Sequence, residues 1–113
     1  MQEFNFNNKT FSLVENSAKG QVNTDTSFKY KQDGNLVTAD YYGGSVRYGK
    51  IIGHLKKDKL IMLYQCITNK DELKAGKATA TISLNKENKI RLTLNWEWLN
   101  NNKETGVSEY IEN

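Results

Sequence analysis

The sequence predicts an all-β domain in which eight antiparallel strands follow one another as an up-and-down meander, closed or nearly closed into a barrel, with no long helix. Three observations lead there. Turn signals recur about every ten to fifteen residues between stretches rich in Val, Ile, Thr, Tyr, Phe and Trp. Several of these stretches alternate apolar and polar residues with period two, the mark of a strand with one buried face. No segment places apolar residues at i, i+3, i+4 and i+7 over three turns, so the helical period is missing.

Thr10 to Glu15 opens the series. The clearest hairpin joins Thr26–Gln32 to Leu36–Tyr42 through Asp33-Gly34-Asn35, where Gly34 supplies the positive φ of a tight turn. Phe28 and Tyr30 alternate there with Lys29 and Lys31, which puts rings on one face and ammonium groups on the other. Gly43-Gly44 turns the chain into Ser45–Lys56, and Lys57-Asp58 turns it into Lys59–Thr68. A polar connection over residues 69–74 precedes a strand from Gly76 to Leu84, in which Ala78, Ala80, Ile82 and Leu84 alternate with polar residues. After Lys86-Glu87-Asn88, the stretch Lys89–Leu99 sets Ile90, Leu92, Leu94, Trp96 and Trp98 on one face, with Arg91, Thr93, Asn95 and Glu97 on the other. Thr105–Glu112 is the eighth strand.

Strands joined by loops this short pair with their neighbours in sequence, because a parallel crossover needs about a dozen residues or more. A long twisted meander with one apolar face loses its exposed edges when strand one meets strand eight. An open sheet bent into two layers is the alternative. The 113 residues suit one domain, read here as residues 1–113, with residues 1–9 expected as a flexible N-terminal segment. An eight-stranded barrel of this kind is either filled by its own side chains or just wide enough for one small ligand.

Composition narrows the function classes. Lys and Arg number 16 against 13 Asp and Glu, and the net +3 is dispersed along the chain, which argues against specific nucleic-acid binding. The one cysteine, Cys66, cannot form an internal disulfide. The N-terminus lacks a basic region followed by an apolar run, and no apolar stretch approaches the length of a membrane helix. A soluble cytoplasmic protein without a membrane partner, monomeric or homodimeric, is therefore expected.

Few residues point to catalysis. His54 is the only histidine, so no metal-ligand spacing exists and no metal is expected. Cys66 lies in the apolar run from Leu60 to Ile67, with nothing basic adjoining it to lower its pKa. Gly43-Gly44, Gly49 and Gly53 precede more strand and not a helix, so they read as a turn and as points of curvature, not as a phosphate loop. No catalytic residue and no cofactor is assigned. The aromatics are more informative: Tyr30, Tyr41, Tyr64, Trp96 and Trp98 offer flat apolar walls with one hydrogen-bonding tip each, which suits a ligand pocket and suits a core as well. Tyr42 and Tyr48 share that ambiguity. Arg91 is expected on the outside of the barrel.

The run Phe28-x-Tyr30-Lys31-Gln32-x-Gly34-Asn35, then Tyr41-x-Gly43-Gly44, Gly49, Gly53, Tyr64, Gly76, Lys89-Ile90-Arg91-Leu92 and Trp96-x-Trp98, resembles a family of small bacterial proteins of about this length. The resemblance covers nearly the whole chain from Asn8 onward. Members are often labelled N-acetylglutamate synthase, which implies acetyl transfer from acetyl-CoA to glutamate. The meander with a Trp-bearing penultimate strand also looks like the avidin (streptavidin) and lipocalin barrels in architecture. Acyl-CoA transferases set a pyrophosphate on a glycine-rich turn before a helix, and neither element is read here. The expectation is therefore non-covalent binding of a small hydrophobic or aromatic molecule inside the barrel. An acetyltransferase, and a structural or interaction protein with a filled barrel, are the alternatives.

Overall fold

The computed structural model describes residues 4–16, 25–99 and 104–113. Eight strands run in chain order: β1 (Lys9–Asn16), β2 (Ser27–Asp33), β3 (Leu36–Gly43), β4 (Val46–Lys56), β5 (Lys59–Thr68), β6 (Leu73–Leu84), β7 (Ile90–Trp98) and β8 (Thr105–Glu112). Each pairs antiparallel with its neighbours, and β1 pairs with β8, so the sheet is a closed barrel. The expected meander is thus the observed fold, and closure removes the two edges that an open sheet would leave unpaired.

The turns obey the chemistry read from the sequence. Gly34 has φ of 61° in a two-residue link between the paired Asp33 and Leu36. Gly43 and Gly44 have φ of 112° and 64°, and a Cβ at position 43 would lie 2.2 Å from the carbonyl oxygen of Asp25. Lys57 takes the left-handed conformation in the β4–β5 turn, as Asn88 does before β7. One boundary differs: β6 begins at Leu73, not near Gly76, because Lys74 pairs with Cys66 and Leu73 with Ile67. The link from β5 shrinks to residues 69–72, held by Thr68 Oγ1, which accepts from the backbone N–H groups of Lys70 and Glu72.

Alternation gives the barrel its inside. Along β7, Ile90, Leu92, Leu94, Trp96 and Trp98 are buried. The inward rings sort to two ends. At the end where β2–β3, β4–β5 and β6–β7 turn, Phe6 is fully buried, stacked on Phe11 at 5.8 Å between ring centroids and tilted against Tyr30 at 5.5 Å. The segment before β1 packs at this end. Phe4 and Phe6 are core residues, and the segment is fastened where Gln32 Oε1 accepts from the Phe6 N–H and the Tyr30 carbonyl from the Asn8 N–H. The N-terminal segment therefore stoppers this end of the barrel. Among the described residues, no helix is long and apolar enough to cross a membrane.

Candidate functional site

The second end, where β3–β4 and β5–β6 turn, is lined mainly by aromatic and sulfur-bearing side chains, with Val46, Ile51 and Leu94 among them. Phe28 stacks on Tyr41 at 5.0 Å and meets Tyr110 edge-on at 4.9 Å. Across the barrel, Trp98 meets Tyr64 edge-on at 5.5 Å and lies 6.1 Å from Trp96. These rings, with Met62 and Cys66, enclose a cavity of about 50 Å³. That space holds one or two waters, while sites for drug-sized molecules run to about 300–1,000 Å³. Below the rings, the barrel is filled by its own side chains.

Two glycines make room for this aromatic wall. Tyr41 lies over Gly49, its register partner on β4, and Tyr64 lies over Gly76, its partner on β6. Each phenol thus covers the gap that a missing side chain leaves in the neighbouring strand, an arrangement that pins register as well as filling space. Gly53 plays a similar part for Leu60.

The cavity lining carries no charge near neutral pH. Burial pushes the phenols of Tyr41, Tyr64 and Tyr110 above their usual range, and burial likewise raises the Cys66 thiol against the opposing influence of Tyr41 and Lys74. Polar groups inside mostly find partners: Trp96 donates its indole N–H to Ser108 Oγ at 2.8 Å, and Tyr41 donates to the Gln65 carbonyl at 3.3 Å. Trp98 Nε1 is buried without a hydrogen-bond partner.

Of the five aromatics singled out in the sequence, the structure brings together Tyr41, Tyr64, Trp96 and Trp98 and sets Tyr30 apart at the stoppered end. Tyr42 and Tyr48 face outward, where Tyr48 donates to Asp40 Oδ1 at 2.7 Å and Lys50 joins the same carboxylate at 3.0 Å. Arg91 faces outward too, paired with Glu109. His54 is exposed on the outer wall between its register partners Leu36 and Ile61, so wall and backbone separate it from the inward Cys66 thiol. Among the described residues, no group of three or more His, Cys, Asp and Glu gathers as metal ligands would.

Sequence reasoning passed over two side chains of this end. Tyr110 shares the inward parity of Ser108 on β8, a signal that period two carries. Lys74 fell in the expected connection, but it is on β6 with the inward parity of Gly76 and Ala78, half-buried, its Nζ 5.6 Å from the Trp98 ring centroid.

Comparison with known proteins gives one family. Its model, described as Avidin-like protein, matches residues 4–113. No curated protein and no solved structure matches. The match agrees with the avidin-type architecture read from the strand pattern and lends nothing to the N-acetylglutamate synthase label, which is set aside.

Proposed function

The chain belongs to the avidin-like family, and from that premise we propose that it binds a small apolar or aromatic molecule non-covalently at the second end of its barrel. The observation that carries this reading is the asymmetry of the two ends. One is closed by Phe6, while the other gathers six aromatic side chains and a buried, unpartnered indole N–H around the cavity. Stacking surfaces with few hydrogen-bonding tips suit a flat, largely apolar ligand. The part that enters is uncharged, because the lining offers no counter-charge and burying an unpaired ion there is costly.

A cavity of about 50 Å³ also favours a second reading, a filled barrel that serves as a structural or interaction module. Under the binding reading, a ligand enters by displacing the half-buried Tyr64 ring, the least enclosed of the lining aromatics. The two readings separate in one experiment. Thermal unfolding is followed with a panel of small aromatic compounds and with biotin. A ligand at about 100 times its Kd stabilises the fold by about 2.7 kcal/mol, which raises Tm by about 10–15 °C for a domain of this size. A shift that Tyr64→Ala or Trp96→Phe alters supports the binding reading, and a flat Tm across the panel supports the filled barrel.

A further inference from the structure

Lys74 stands where the binding reading leaves a question open. Its side chain has inward parity at the rim of the aromatic end, and its register partner Cys66 lines the cavity. The ammonium lies over the Trp98 ring, and no carboxylate among the described residues pairs with it. Several lysines of the outer wall, such as Lys56 and Lys77, also lack an ion pair, and what sets Lys74 apart is its inward parity and its place over the Trp98 ring. Directly beside it, Trp98 presents the one buried side-chain donor among the described residues that has no acceptor. Among the described residues, a cation without a counter-ion and a donor without an acceptor thus share one ring beside an otherwise uncharged cavity.

We propose that Lys74 and Trp98 form an anion-recognition site and that the ligand is a small organic monoanion, a carboxylate with an apolar or aromatic body. This rests on the binding reading and names its ligand class. One carboxylate oxygen accepts from the Lys74 ammonium and the other from the Trp98 indole N–H, both charge-assisted bonds. The apolar body points inward between Trp96, Tyr64 and Met62. A single ammonium matches a single negative charge, and a dianion would bring a second charge into a rim that offers no further inward cation among the described residues.

The test uses 3-phenylpropanoate and 3-phenylpropanamide, which share a body and differ in charge, titrated into ¹⁵N-labelled protein. The chain has 2 tryptophans, so the indole N–H signals of Trp96 and Trp98 are read separately, with Trp98→Phe giving the assignment. The acid is expected to bind at least about tenfold more tightly than the amide and to move the Trp98 signal downfield. Lys74→Met, which keeps the stem over the ring, abolishes the preference and leaves amide binding intact. Lys74→Glu reverses it in favour of 3-phenylpropylammonium. Equal binding of acid and amide, unchanged in Lys74→Met, would overturn the carboxylate site while leaving the binding reading in place; Lys74 would then serve only to cover Trp98. Binding of neither compound overturns both.

Discussion

The Tyr41 ring lies directly across Gly49, so that a Cβ built at position 49 would sit 2.1 Å from the Tyr41 Cζ. The two residues are register partners on β3 and β4. Such an approach is open only to glycine, and the neighbour that would have to yield is a ring held between Phe28 and the barrel wall, not the end of a flexible chain. Gly49→Ala is therefore expected to destabilise the fold by about 1–3 kcal/mol, the range for an overpacked core. Urea unfolding measures the loss, and near-UV circular dichroism should show the tyrosine environment changed. Wild-type stability would mean that the ring swings away at no cost.

Trp96 and Ser108 join β7 to β8 through a buried hydrogen bond of 2.8 Å. Removing the hydroxyl leaves the indole N–H without an acceptor in a dry interior. Ser108→Ala should thus cost about 1–3 kcal/mol, although only one oxygen is lost. Trp96→Ala removes the whole ring and is expected to cost about 3–5 kcal/mol. A Trp96→Ala loss below about 1 kcal/mol would place the ring outside the core.

Much of this arrangement was legible before the fold was seen. The unbroken period of β7 placed Trp96 and Trp98 beside Leu92 and Leu94, because the other register would have buried Arg91, Asn95 and Glu97. The rim was harder to read. Lys74 and Leu73 sit among Asp71, Glu72 and other polar residues, where composition says loop, and only pairing with Cys66 and Ile67 makes them strand. Tyr42 and Tyr48 follow strand propensity but fall on the outer parity, and bulges beside them at Tyr41/Gly43 and Val46/Tyr48 shift the count near the turns. Phe4 and Phe6 lie outside any strand, so no alternation announces their burial.

Phe6 closes the first end of the barrel, its side chain fully buried against Phe11 and Tyr30. Phe6→Ala is expected to cost about 3–5 kcal/mol and to give the Tyr30 end access to water. Denaturant unfolding reads the first effect, and faster hydrogen exchange at the β2–β3 amides the second. If stability is unchanged, the segment before β1 is not part of the core. Ligand affinity at the second end should survive the change in the folded fraction, because Phe6 takes no part in the aromatic cavity.

High pH provides a test of the whole interior. Tyr30, Tyr41 and Tyr110 are buried, and desolvation raises each phenol well above the ordinary 10.0 that it regains on unfolding. A raised folded pKa means that the stabilisation is complete below the unfolded value and is lost as pH climbs above it. Between about pH 10 and the folded values, the unfolded chain releases protons that the native state retains, so stability falls by about 1.4 kcal/mol per pH unit for each phenol. Three together remove about 4 kcal/mol per unit, against a total of about 5–15 kcal/mol for a domain of this kind. The barrel should therefore unfold cooperatively one to a few units above pH 10, before these phenols ionise in place. Tyrosinate absorbance at about 295 nm from the buried tyrosines is then expected to appear in one step, together with the loss of β-sheet circular dichroism. Gradual ionisation of all six tyrosines near pH 10 with the sheet intact would show that Tyr30, Tyr41 and Tyr110 are open to water, and would contradict the closed barrel on which the site depends.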